Sequence, residues 1–206
     1  RLYKANDMVK ADCGGCNGCS RCCHGMGNSI ILDPYDVYRM TTGMGKSMQE
    51  LLAASVELNV VDGVILPNLK MQGTKEACAY LDEEGRCSIH PYRPGICRLF
   101  PLGRYYENGG FSYFLQTGEC AKENRSKIKV SKWIDTPDLT RNQQFTLQWH
   151  DLLHAMEERL TGEDEGKQQE ENLLLLRLFY LLPYKGTTDF YSQFMERMEY
   201  WNEQIR

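Results

Sequence analysis

Residues 13–23 read Cys13-Gly-Gly-Cys16-Asn-Gly-Cys19-Ser-Arg-Cys22-Cys23, five thiols in eleven positions threaded on glycine. From here to Gly27 the only large apolar side chain is Met26, so hydrophobic burial cannot order the segment and a bound ion must. Four further thiols, Cys78, Cys87, Cys97 and Cys120, bring the total to nine. A disulfide framework is disfavoured. The count is odd, the chain exceeds the size that needs stapling, and no secretion leader is visible at Arg1-Leu2-Tyr3-Lys4. Thiolates that converge bind zinc or iron, and both metals accept all-sulfur shells. Bound metal in a reducing cytoplasm is the expectation. Consecutive residues of an extended segment face opposite sides, so Cys22 and Cys23 are expected to serve different purposes.

Outward from this stretch, the composition is that of a globular chain. Of 206 residues, 42% are hydrophobic, enough to form a core. Lys+Arg 24 against Asp+Glu 28 leaves −4, which argues against a nucleic-acid partner. The longest greasy run, Leu173 to Tyr184, is too short for a bilayer and carries Arg177, so no membrane span is expected.

The fold class expected is α+β: a small cysteine-rich metal-binding domain of short strands and two helices over residues 1–135, then an α-helical extension over 136–206. Ser29-Ile30-Ile31-Leu32 reads as a strand. Asp33-Pro34 caps a helix reaching about Thr42, and Ser47 with Glu50 forms a capping box for a second. Arg104–Tyr106 and Phe111–Leu115 flank Glu107-Asn108-Gly109-Gly110 as a hairpin. Phe145, Trp149, Leu152, Leu153, Met156 and Leu160 recur at helical spacing. Leu173–Leu182 forms another helix ended near Pro183, and Asp189 caps a last one bearing Phe190, Phe194, Met198 and Trp201.

The series Cys16-x-x-Cys19-x-x-Cys22-Cys23, Cys78, Cys87-Ser-Ile-His90-Pro-Tyr-Arg93-Pro-x-x-Cys97-Arg98-x-Phe100-Pro101 and Cys120 resembles the CxxCxxCC, or YkgJ-like, cysteine-cluster family. That resemblance implies a zinc- or iron-chelating domain; the family includes flagellin lysine N-methylases, so a methylase-like protein-modifying activity is an alternative. Eight metal ligands are expected: Cys16, Cys19, Cys22, Cys23, Cys78, Cys87, Cys97 and Cys120. Cys13 is additional to the eight, an extra ligand if it is one and the most dispensable of the nine.

A 4Fe-4S iron–sulfur cluster is favoured over zinc, because glycine-lined thiolates offer backbone N–H groups to sulfide. Spacing leaves open whether there is one site or two. Electron transfer or modification of a partner protein is the leading function, and a structural zinc adaptor the third reading. Arg21, Arg86, Arg93, Arg98 and Arg104 lie among the thiolates, whose charge they neutralise. Arg93 and Arg98 are candidates for a pocket that takes a partner or a small anionic ligand. His24 and His90 are expected to hydrogen-bond rather than ligate. His150 and His154 are four apart but lack the zinc-protease glutamate, and Gly43-Met-Gly45-Lys46-Ser47 lacks the first glycine of a phosphate loop. The basic run Lys122–Lys132 reads as a solvated strand edge. The aromatic tail is expected to pack internally, with any surplus offering a surface to a protein partner.

Overall fold

The protein is described from a computed structural model, which covers residues 1–14, 19–122 and 124–205. In chain order the elements are strands β1 (Leu2–Tyr3) and β2 (Met8–Asp12), helices α1 (Pro34–Met44) and α2 (Met48–Ala54), and strands β3 (Val56–Val61), β4 (Val64–Leu69), β5 (Met71–Gln72) and β6 (Ala77–Cys78). Then come the short helix α3 (Gly95–Leu99), strands β7 (Leu102–Glu107), β8 (Gly110–Leu115) and β9 (Ser126–Lys129), and helices α4 (Val130–Ile134), α5 (Leu139–Leu160), α6 (Glu165–Leu176) and α7 (Phe190–Gln204). The fold is α+β as expected, with short antiparallel strands first and helices at the C-terminus. Among the described residues no helix is long and apolar enough to cross a membrane.

Local chemistry accounts for most boundaries. Asp33 Oδ1 accepts the Asp36 N–H at 2.8 Å while Asp36 Oδ2 accepts the Asp33 N–H at 3.1 Å, a reciprocal cap for α1. Ser47 and Glu50 do the same for α2. Two hairpins close on two-residue turns with positive φ. Asn108-Gly109 joins β7 to β8, and Asp62-Gly63 joins β3 to β4. β1 adds to β8, giving the order β1-β8-β7, while β2 pairs with β9. Of the basic run expected on a strand edge, Lys127 and Lys129 lie exposed on β9, whereas Lys132 falls in α4 and Lys122 precedes the strand.

Two expectations need correction. Ser29–Leu32 is not a strand. It makes a single bridge, Ile31 to Asn68, on the edge of β4 away from β3, with the Leu32 N–H donating to Pro67 O at 2.9 Å and Ile30 O accepting the Leu69 N–H at 3.0 Å. The pairing stops there because Pro67 has no N–H to offer and the Asp33 cap starts α1. Nor does one α-helix run over Leu173–Leu182: α6 begins earlier, at Glu165, and its end widens into a π-helical turn, Arg177–Leu181. Arg197 on α7 donates to the carbonyls of Leu178, Leu182 and Pro183, satisfying groups that the widened turn and Pro183 leave open.

Two buried clusters result. The larger draws Leu32, Tyr35, Val37, Met40, Leu51, Val56 and Leu69 together with Phe145, Trp149, Met156, Phe179, Phe194 and Trp201, so side chains from both sides of residue 135 share it. Aromatic edges hold it: Tyr35 meets Phe190 at 5.0 Å and Phe145 meets Phe194 at 4.8 Å between ring centres. Most aromatic side chains of the tail are consumed here, as expected. The smaller cluster contains Val9, Ala11, Leu99, Leu102, Tyr113, Val130 and Ile134. Asn172 ties α6 to the first hairpin, accepting the Ile65 N–H at 2.6 Å and donating to Gly63 O at 3.2 Å.

Gly43 sets how closely the segment after Cys87 approaches α1. A Cβ there would lie 2.3 Å from the Tyr92 ring, which leans on the helix at that point. Alanine would gain about 1 kcal/mol of helix propensity but force an overpacking cost of about 1–3 kcal/mol. Gly43→Ala should therefore lower the denaturation midpoint, and Gly43→Ala with Tyr92→Ala should recover the propensity gain. Urea unfolding of both variants checks this.

Candidate metal centre

The cysteine segments meet between the two cores. Cys22 and Cys23 lie on a 3-10 turn, Arg21–Cys23, flanked by Gly14, Gly25 and Gly27 in left-handed conformation. The chain after Cys23 is pinned to β6: His24 bridges Ala77, and the Gly25 N–H donates to Glu76 O at 2.9 Å. That places Cys23 beside Cys78. A tight loop then returns the chain, with Leu81 bridging Cys87 and the Ser88 N–H donating to Tyr80 O at 2.8 Å. Cys97 rides on α3, which the Asp36 carboxylate holds against α1 by accepting the Gly95 N–H at 2.6 Å.

The thiols of Cys22, Cys23, Cys78, Cys87 and Cys97 consequently feel one another. Burial pushes Cys78, Cys87 and Cys97 up, and neighbouring thiols push them further. Cys23 is raised well above the ordinary range, chiefly because it donates its proton to Cys22. That same hydrogen bond, assisted by the Cys22 backbone N–H and by His24, lowers Cys22 to about 7 against the opposing effect of burial. The opposite-facing arrangement expected for Cys22 and Cys23 is thus not what the chain adopts. Successive side chains on a 3-10 turn diverge by about a third of a turn, near enough to share a proton.

A second gathering lies on the other side of the turn. Cys13, Cys19, Cys22 and Cys120, with Arg21, Phe100, Pro101, Glu119, Ala121 and Lys122, line a cavity of about 20 Å³. Cys22 belongs to both groups. Cys16 lies outside the described residues, and no disulfide joins the eight cysteines that are described.

The donor chemistry suits a thiophilic metal. The sulfurs of Cys78 and Cys87 accept backbone N–H groups from Tyr80 and Ile89, two residues on, which favours the thiolate form. Arg93 adds positive charge near Cys87. Among the described residues, however, no three His, Cys, Asp or Glu side chains have closed into an ion-binding shell.

The remaining candidates fall into different surroundings. Arg93 donates from Nη1 to His90 O at 2.9 Å and lies 3.1 Å from His90 Nδ1. Arg98 is 4% exposed, 4.0 Å from Asp36 Oδ1 and 5.7 Å from the centre of the Tyr35 ring. Its Nε and Nη1 are buried without a hydrogen-bond partner among the described residues. His24 Nδ1 donates to Ser20 O at 2.9 Å, the bonding role expected of it. His150 stacks on Tyr106 at 3.8 Å, a contact unforeseen in the sequence.

Sequence reasoning missed the carboxylate pair beneath the centre. Asp33 and Asp36 were visible as a helix cap, but the approach of α3 that buries them was not. Burial and the adjoining Asp36 carboxylate push Asp33 up to about 7, against the pull of Arg104 and Arg98. A carboxyl raised in the folded state binds its proton more tightly there than in the unfolded chain. Its contribution is therefore full below about pH 4 and lost as pH rises to about 7. Asp33→Asn keeps an N-cap of equal quality and removes the charge. The variant should show a flatter decline of stability between pH 4 and 7 and exceed the parent at pH 8. Denaturant midpoints across that range check this; a parent that gains on the variant as pH rises would contradict it.

Comparison with known proteins adds one result. The family model CxxCxxCC, described as "Putative zinc- or iron-chelating domain", matches residues 15–121, just over half of the chain. No curated protein and no solved structure matches the chain. The matched stretch begins two residues after Cys13 and ends one after Cys120, enclosing both thiol gatherings except for Cys13. The chain belongs to the CxxCxxCC family of zinc- or iron-chelating domains.

Proposed function

We propose that this chain is a cytoplasmic thiolate metal protein that holds an iron–sulfur cluster on Cys23, Cys78, Cys87 and Cys97 and serves electron transfer or the modification of a partner protein. The observation that carries this reading is the convergence of those four thiols from three chain segments, with N–H groups already directed at two of the sulfurs. Bound there, such a cluster supplies one-electron exchange at a potential set by hydrogen bonds to sulfur and by exposure.

The chain's own residues do the rest. The Tyr80 and Ile89 N–H groups and Arg93 stabilise the charge left on Cys78 and Cys87. Asp36, holding α3 by the Gly95 N–H, fixes the backbone that carries Cys97. Cys23, Cys78 and Cys87 are half-buried, so a partner's redox centre or side chain can approach from their side, while the Cys97 thiol lies deeper.

Zinc is the second reading, favoured by the same all-thiol donor set, which zinc accepts as readily as iron. Protein purified without oxygen and reconstituted with ferrous iron and sulfide separates the two. The expected result is a broad visible band bleached by dithionite, lost in Cys78→Ser and Cys97→Ser. A colourless parent that instead retains zinc through the same procedure would support the second reading.

A further inference from the structure

The second thiol gathering is built differently from the first. Its four thiols come from two regions far apart in sequence: Cys13, Cys19 and Cys22, between the end of β2 and the 3-10 turn, and Cys120, after β8. They face a space of about 20 Å³, enclosed on one side by Phe100 and Pro101. A body the size of one water needs about 10–15 Å³. The space therefore suits a single ion. Four thiolates around one divalent cation carry about −2 overall. Arg21 and Lys122 line the same space and offset that charge, with Glu119 opposing them.

We infer that Cys13, Cys19, Cys22 and Cys120 form a second metal site, taking a single soft divalent cation of the zinc class, distinct from the site on Cys23, Cys78, Cys87 and Cys97. The inference rests on the reading of the chain as a thiolate metal protein and assigns Cys13 a ligand's role. Cys13 precedes the family match, so this ligand is a feature of the chain beyond the matched domain. It also reverses the expectation that Cys13 is the most dispensable thiol. The Asp12 carboxylate accepts the Gly14 N–H at 2.9 Å and the Ser126 hydroxyl at 3.1 Å, holding the backbone on either side of Cys13 to β9. Binding forms sulfur–metal bonds and releases the thiol protons to solvent, with no change in oxidation state.

Cobalt(II) titration of the metal-free full chain under reducing conditions tests this. The parent should take two equivalents. Cys13→Ser and Cys120→Ser should weaken one equivalent and lower its sulfur-to-cobalt absorption by about a quarter, one thiolate of four, while Cys87→Ser affects the other equivalent. Identical uptake and absorption in the parent and Cys13→Ser would overturn the assignment. So would a parent binding one equivalent that only Cys87→Ser removes, an outcome that leaves the proposed function standing. A parent that binds no cobalt would overturn both. Alkylation of the unmutated chain gives an answer independent of how the variants fold. With zinc bound, Cys13 should be protected together with Cys19 and Cys120; alkylation of Cys13 at its metal-free rate refutes the site.

Discussion

Half-buried thiols crowded against one another can be accommodated in only a few ways: each keeps its proton, two share one, or a cation enters. The rest of the structure is arranged around this constraint. Cys22 and Cys23 share a proton, and Cys78, Cys87 and Cys97 hold theirs because burial and their neighbours disfavour charge. A bound metal reverses that balance, since its positive charge outweighs the desolvation of each thiolate. The glycine-rich turn has almost no apolar side chains to bury, so the same metal supplies order that hydrophobic packing cannot.

Rigid elements bring these thiols together. Asp36 is 2% exposed and does three things: it closes the cap of α1, receives the Gly95 N–H of α3, and faces Arg98. A buried carboxylate is costly unless satisfied, and these contacts satisfy it only when α3, with Cys97, is seated on α1. The helix that packs the core thereby sets the position of a sulfur. Tyr92 over Gly43 acts in the same sense, holding the segment between Cys87 and Cys97 close to the helix.

The C-terminal helices contribute from behind. Tyr180 donates to Leu32 O at 2.9 Å, immediately before the Asp33 cap, and Phe190 packs on Tyr35 within α1. The tail thus braces the helix on which the metal-bearing segments rest. Its aromatic richness serves packing: Phe179, Tyr180, Phe190, Phe194 and Trp201 are all buried.

By itself the sequence determined the local features. Asp33-Pro34 and Ser47 with Glu50 specify helix starts through side-chain caps that need no distant partner, and the Asn108-Gly109 turn specifies a hairpin in the same way. The cysteine series made thiolate metal chemistry legible because sulfur ligands are few and their spacing is distinctive. Asp62-Gly63 was an equally local signal, and the hairpin it makes from Val56 to Leu69 could have been read from it. Only the tertiary structure decided which thiols face which neighbours. Cys13 and Cys120 are 107 positions apart in sequence, and β2 pairing with β9 together with the chain's return after β8 brings them to one cavity. The Arg177–Leu181 turn, the lone Ile31–Asn68 bridge and the burial of Asp36 beneath α3 were likewise invisible. Each depends on a surface presented by a remote segment, and a linear pattern carries no information about which remote surface arrives.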